Sequence, residues 1–342
     1  MKNFVCYYSE GHQAHQEAGH PERPERLEAI RAALEEAGYW KEWRFLQPAT
    51  LPAAILEAVH SRAYLNLLEI ACRRGGRLDV DTYVTPASWQ LAQQAAGGAA
   101  AVAQAVWLGE ARRGLALVRP PGHHATPSQG MGFCLLNNIA LAAEALIKQE
   151  KAKRLAIVDL DLHHGNGTQE VFWKRSDVFY ISTHQMPLYP GTGRLEERGA
   201  GEGEGFTANF PMPPGSGDQA FQTVMAELIL PLLDRYQPEM VLVSYGFDTH
   251  WNDPLGSLLL SVDGYARLIK SLADWSDRHC WGRIALVLEG GYDLEAASAC
   301  TLAVAAALLG QPWQDPLGPA PYREGEAWKG MLARAKALWQ LD

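Results

Sequence analysis

The chain has no cysteine pair at CxxC spacing, no block of like charge and no long apolar run. Its five cysteines, Cys6, Cys72, Cys134, Cys280 and Cys300, are odd in number and far apart. This argues against a disulfide framework or a thiolate metal site and fits reduced thiols. The net charge is −9 and no Lys/Arg cluster stands out, so neither nucleic acid nor an anionic membrane surface is an expected partner. No segment reaches the ~18 uninterrupted apolar residues of a membrane span. The opening MKNFVCYYSE lacks the apolar run of a secretory leader, and a cytoplasmic location is expected. Self-association, as a homo-oligomer, is left open. No fixed-period repeat or low-complexity linker divides the 342 residues.

What is present is a series of short apolar runs alternating with helical periodicity. Leu115–Val118, Leu155–Val158, Val178–Ser182, Met240–Tyr245 and Ile284–Leu288 read as buried strands. Ser88–Leu108, Asn137–Lys148, Gln219–Tyr236, Tyr265–Asp277 and Leu294–Leu309 read as helices. That alternation predicts an α/β fold with a mainly parallel sheet. The first hundred residues read as mainly helical, with Pro24 opening a helix to Ala37 and Gly38 stopping it. Gly97–Gly98, inside an Ala-rich helix, marks close helix packing. Residues 1–310 are expected to form one domain. Residues 311–342 are Pro-rich, end in the helix-like Glu324–Leu341, and are expected to pack on that domain as an extension.

The polar residues fall where the strands end. RPPGHH (Arg119–His124), DLDLHHGNGT (Asp159–Thr168), STH (Ser182–His184), GFD (Gly246–Asp248) and EGGYD (Glu289–Asp293) each follow or close a strand. Ligands bind in the crevice at the carboxyl ends of parallel strands, so these turns should converge. Asp159, Asp161 and His163 have period-2 spacing and share a face if the strand continues through them. Such an array is costly to bury without a compensating cation. Asp161 and His163 supply two metal ligands and Asp248 is the candidate third, leaving an open position as catalytic zinc requires. Two carboxylates and an imidazole do not by themselves choose zinc over iron(II) or cobalt(II). Any one of these residues alone reads as an ordinary cap or turn; the paired His123–His124, the Asp-x-Asp-x-His array and a third strand-end Asp together favour a metal site.

RPPGHHA, MGFC (Met131–Cys134), DLDLHHGNGTQ, PGTG (Pro190–Gly193), GFD with DPLG (Asp253–Gly256), and EGGYDL closely resemble the histone deacetylase family, which includes acetoin-utilisation proteins and acetylpolyamine amidohydrolases. HPERPERL (His20–Leu27) and HSRAYL (His60–Leu65) match its amino-terminal motifs, and GNGT and EGGY look class II-like. The resemblance implies a single arginase-like α/β domain with a central, mainly parallel eight-stranded sheet flanked by helices. It implies zinc on Asp161, His163 and Asp248, with His124 as general base, His123 as its electrostatic partner and Tyr292 as oxyanion donor. Gly132 would offer its carbonyl to the substrate amide, and Phe133 would wall the tunnel. Asp159 would orient His123 and, with Ser182, help to hold potassium. Asn166, where class I enzymes carry Asp, would partner His124. Arg26 would line the acetate-side channel. Tyr189 is either the second tunnel wall or a rim residue, and Asp81 either an acidic rim residue or a solvated loop carboxylate.

The implied activity is deacetylation of acetyl-lysine in proteins or peptides, or of an acetylated small amine. Leu255 occupies the place where polyamine-selective class II relatives carry Glu, which tilts the reading towards acetyl-lysine. A dinuclear manganese ureohydrolase would need more bridging carboxylates. A non-catalytic binder would not need the His pair and Tyr292.

Overall fold

The computed structural model describes residues 4–342. Among the described residues ten strands form: β1 (Phe4–Tyr8), β2 (Arg44–Phe45), β3 (Gly76–Arg77), β4 (Tyr83–Val84), β5 (Arg113–Leu117), β6 (Leu155–Asp159), β7 (Val178–Gln185), β8 (Thr207–Met212), β9 (Met240–Tyr245) and β10 (Ile284–Leu288). Eight make one sheet in the order β2-β1-β5-β10-β9-β6-β7-β8, and every pairing in it is parallel. β3 and β4 form a separate antiparallel pair. The central strands are buried on both faces and apolar except at Arg113, Asp159 and Ser244, as expected where helices cover both sides. All five cysteines are unpaired and buried. No helix among the described residues is long and apolar enough to cross a membrane.

The first hundred residues are mainly helical, as expected, and the helix after Pro24 runs Glu25–Glu36 with Gly38 just beyond it, but the first strand was not anticipated. β1 is a full member of the main sheet, between β2 and β5. Its run FVCYY is too short and too continuously apolar for periodicity to separate strand from helix. β8 was also not anticipated: TANFPM carries Pro211, which a central strand would not tolerate but an edge strand does. The expected helix over Gln219–Tyr236 forms as two pieces, Asp218–Val224 and Leu230–Tyr236, joined by a π-helical turn at Met225–Ile229. Pro231 has no N–H to continue the ordinary ladder, and the wider turn absorbs the break. The carboxyl-terminal helix, Trp328–Trp339, lies against β8 and buries Trp328, Ala335 and Trp339.

Gly97 and Gly98 lie in the Ser88–Trp107 helix at two close approaches. A methyl on Gly97 would overlap the Ala49 carbonyl, and one on Gly98 would overlap the Tyr7 ring of β1. Gly98→Ala is therefore expected to lose about 1–3 kcal/mol by overpacking, despite a helix-propensity gain of ~1 kcal/mol. Gly330, exposed in the last helix with nothing near it, is the control: Gly330→Ala should gain roughly 0.5–1 kcal/mol. Urea denaturation of both variants checks the opposite signs.

Candidate active site

The polar turns after β5, β6, β9 and β10 meet because those strands are neighbours in the sheet centre. β6 ends at Asp159, so the strand does not carry Asp159, Asp161 and His163 on one extended face. Successive side-chain turns align them instead. Asp159 Oδ1 accepts the Asp161 N–H (3.2 Å) and Asp161 Oδ1 accepts the His163 N–H (2.9 Å). Each is an aspartate bonding the backbone two residues on, a common loop device.

Asp248 arrives from the end of β9, and Asp161, His163 and Asp248 each offer a ligand atom within 4.8 Å of the others. His163 Nδ1 is 3.3 Å from Asp161 Oδ1 and 3.2 Å from Asp248 Oδ2. Asp248 Oδ1 accepts the Leu162 N–H (3.0 Å), and Asp161 Oδ2 accepts the Gly290 N–H (2.8 Å). Asp248 Oδ2 is buried without a hydrogen-bond partner, because the nearby His163 nitrogen is misaligned for one. A side chain at Gly246 would overlap Asp161, and one at Gly290 would overlap Asp248. Glycine at both places lets the carboxylates approach.

The electrostatics show a site short of positive charge. Burial and the Asp161 charge push Asp248 up to about 7. Burial also acts to raise Asp161, but His123 and His163 outweigh it and hold that carboxyl well below its usual range. Burial pulls His163 down, yet its contacts with Asp161 and Asp248 overcome this and lift it to about 9. A proton on His163 thus partly offsets two buried carboxylates. The orphaned oxygen, the glycine-lined space and the carboxylate–imidazole donor set all fit a divalent cation.

The two neighbouring imidazoles have opposite character. His123 Nδ1 donates to Asp159 Oδ2 (3.1 Å), which also accepts the Tyr180 hydroxyl (3.0 Å). Burial opposes a charged His123, but Asp161 and Asp159 prevail and raise it to about 10. His124 Nδ1 donates to Asn166 Oδ1 (2.8 Å). Asn166 fixes the tautomer without adding charge, so Nε2 is the free basic nitrogen. Burial, then His123 and His163, drive His124 well below the ordinary histidine range. Adjacent groups with divergent pKa values are the signature of acid/base assignments.

A cavity of about 160 Å³ opens above this arrangement, and His123, His124, His163, Gly132, Phe133, Tyr189, Leu255, Asp81 and Tyr292 line it. Gly132 (φ 55°) and Phe133 (φ 69°) are both left-handed, and Met131 and Cys134 exchange backbone hydrogen bonds at 3.1 and 2.9 Å. This two-residue hairpin, with the φ signs of a type I′ turn, projects Phe133 into the cavity. Positive φ is strained for a bulky residue; the Thr82 hydroxyl accepts the Phe133 N–H at 3.1 Å and His20 packs edge-on, holding it. Tyr189 sets its ring edge-on against His124 at 5.1 Å. Asp81 is half-buried at the cavity edge and accepts from Thr82 (3.2 Å). Tyr292 is buried beneath the Arg26 guanidinium, 4.8 Å from its ring centre, and burial keeps the phenol protonated. Ser182 lies outside the cavity lining: it pairs with Asp159 across β6 and β7, and its hydroxyl meets His184 Nδ1 at 2.9 Å.

The Hist_deacetyl model, described as the histone deacetylase domain, matches residues 20–308. The chain belongs to the histone deacetylase family. It is 43% identical over 313 residues to a probable deacetylase of Archaeoglobus fulgidus, covering 91% of this chain and 87% of that one. It is 37% identical over 295 residues to a histone deacetylase-like amidohydrolase of Pseudomonas aeruginosa, covering 86% and 78%. The crystal structure of the HDA15 HD domain superimposes with a TM-score of 0.89 at 34% identity, covering 99% of this chain and 95% of that one. The chain is accordingly a hydrolase acting on amide bonds, in the arginase/deacetylase fold.

Two buried carboxylates that brace this family site carried no role in the sequence reading. Glu289 Oε2 accepts the N–H groups of Gly122 (2.7 Å) and His123 (3.1 Å), and Oε1 accepts the Ser244 hydroxyl (2.8 Å). Asp253 Oδ2 accepts the N–H groups of Tyr292 (2.7 Å) and Asp293 (3.1 Å), and Oδ1 accepts that of Leu255 (3.0 Å). The one available signal, for Glu289, was a carboxylate placed directly after the apolar run IALVL. Burial raises Glu289 to about 7. Glu289→Ala strands two N–H groups and should cost about 2–4 kcal/mol, whereas Glu289→Gln keeps an acceptor oxygen and should stay within about 1 kcal/mol of wild type. Urea denaturation at pH 7 separates the two.

Proposed function

We propose that the chain is a zinc-dependent deacetylase that removes acetyl groups from N-ε-acetyl-lysine in proteins or peptides. The observation that carries this reading is the juxtaposition of a neutral imidazole, a charged imidazole and a protonated phenol around one cavity, above two carboxylates and a third imidazole that are short of one cation. Asp161, His163 and Asp248 would hold the metal, which supplies Lewis acidity to an amide carbonyl and to water.

The chain's own groups account for the remaining chemistry. His124, neutral and with Nε2 free, takes the proton of the attacking water. His123, held charged by Asp159, faces the same reaction volume and assists protonation of the leaving amine. The Tyr292 phenol makes no protein hydrogen bond among the described residues and donates to the oxyanion that develops on the acetyl oxygen. The Asp253 clamp positions Tyr292, and Glu289 positions the His pair. Gly132 offers its carbonyl to the substrate amide. Phe133 and Tyr189 wall the narrow cavity, which suits the unbranched stem of lysine. The register of Asp159 opposite Ser182 supports a potassium site there.

Leu255 on the wall offers no charge to a distal ammonium, which favours acetyl-lysine. Asp81 at the cavity edge supports a second reading, an acetylpolyamine or other cationic acetylated amine. A dinuclear manganese site is disfavoured: Asp161, His163 and Asp248 are the one such ligand group among the described residues, and Asp159 is engaged by His123 and Tyr180.

Turnover of an acetyl-lysine peptide by metal-loaded protein tests the reading. His124→Ala should lower kcat/KM by about 100-fold to 10,000-fold and Tyr292→Phe by about 100-fold to 1,000-fold. Equal turnover in wild type and both variants contradicts it. Parallel assays on acetylated polyamines rank the two substrate classes.

Metal uptake should also release protons. Before loading, His163 titrates at about 9 and Asp248 at about 7, and both must be deprotonated to act as ligands. About one proton per chain should be released at pH 8, and more as pH falls through 7. Affinity should therefore rise with pH over this window. Calorimetry in buffers of different ionisation enthalpy measures the count.

A further inference from the structure

A second, larger cavity of about 640 Å³ lies at the opposite edge of the sheet from the His pair. Lys153–Arg154 precede β6, Ser176–Asp177 precede β7 and Gly205–Phe206 precede β8, so its walls are the amino-terminal strand ends. The end of the last helix closes one side. Its volume falls within the range of small-molecule sites.

Its charge opposes that of the chain. The protein carries −9 overall, yet Lys153, Arg154, Arg198 and Arg235 line this cavity against a single carboxylate, Asp177. Arg175 already holds Asp177 at both oxygens (2.9 and 2.7 Å). Nearby Glu239 directs one oxygen to the backbone N–H groups of Lys153 (2.7 Å) and Arg154 (3.1 Å). Among the described residues, none of the four lining cations forms a carboxylate ion pair. Arg235 donates to the carbonyls of Trp339 and Gln340, both at 2.5 Å.

Two donors at this cavity lack acceptors. The Arg198 guanidinium lies over the Trp339 ring, 4.5 Å from its centre, and its Nε is buried without a hydrogen-bond partner. The Trp339 indole nitrogen is likewise unpartnered, on a side chain only 6% exposed. Buried donors without acceptors are rare and call for an explanation. Neither atom is open to the cavity, so they mark a wall with unsatisfied polar groups, and the exposed cations beside them, Lys153, Arg154 and Arg235, carry the recognition. The rest of the wall is aromatic: Tyr236 packs against Phe179 (5.3 Å) and Phe206 (5.6 Å).

We propose that this cavity binds an organic anion bearing a flat ring, of the nucleoside monophosphate class. The guanidinium groups pair with the phosphate, for which their planar fork is suited, and the ring packs on the aromatic wall. Neither charge alone nor an uncharged ring meets both halves of the site.

Isothermal titration calorimetry of the metal-loaded full chain with AMP, adenosine and inorganic phosphate tests this. AMP should bind at one per chain, with adenosine and phosphate each weaker by about tenfold or more. Arg198→Ala should weaken AMP by about tenfold. The double reversal Lys153→Glu/Arg154→Glu, on exposed side chains whose change spares the packing, should weaken it comparably. No AMP binding at millimolar concentration, AMP binding unchanged in both variants, or phosphate binding as tightly as AMP overturns the proposal. The readout is heat of binding rather than turnover, so a negative result leaves the deacetylase reading intact.

Discussion

Asp161 and Asp248 come from the ends of two neighbouring strands, both are buried, and His163 is the one imidazole beside both, His123 standing 3.6 Å from Asp161 alone. Two buried carboxylates repel and lose their hydration, and without compensation one must take up a proton. The surrounding backbone is arranged around that conflict. Gly246 and Gly290 leave room for the carboxylate heads, and the N–H groups of Leu162, His163 and Gly290 hold three of the four oxygens. The fourth, Asp248 Oδ2, has no hydrogen-bond partner. Spending this much buried charge on one locus makes sense if a cation completes it, and the proposed hydrolytic chemistry follows from that completion.

The same economy explains the histidine pair. His123 and His124 are consecutive in sequence and their rings lie 4.1 Å apart, yet one is drawn to a carboxylate and the other to a neutral amide. Environment alone separates them into a cation and a base. Their geometry depends on groups that do no chemistry: Glu289 holds the backbone beneath His123, and Asp253 ties Leu255 and Tyr292 across the cavity mouth. These clamps restrict the freedom of the loops around the cavity, as pre-organised sites require.

Much of this was legible in the sequence where local pattern and buried environment agree. The five central apolar runs became strands with their polar turns on one side, and Leu294–Leu309 formed with the expected bounds. The cavity brings together His123, His124, His163, Phe133, Tyr189 and Tyr292 from five separate stretches. What escaped depends on tertiary context. β1 is a helix or a strand according to what lies beside it, and β8 survives its proline because it is at an edge. The alignment of Asp159, Asp161 and His163 came from side-chain turns rather than strand pleat. The roles of Glu289 and Asp253 are written in backbone N–H groups that come close only after folding, and no spacing rule in a single sequence reports them.

The central claim is that Asp161, His163 and Asp248 bind one divalent cation. The direct measurement is zinc content per chain after equilibrium dialysis at pH 8, for wild type and for Asp248→Asn, with circular dichroism confirming that both are folded. The account predicts one zinc per wild-type chain and an affinity at least about 100-fold weaker in the variant. Two ions per wild-type chain, or undiminished binding by Asp248→Asn, would contradict it.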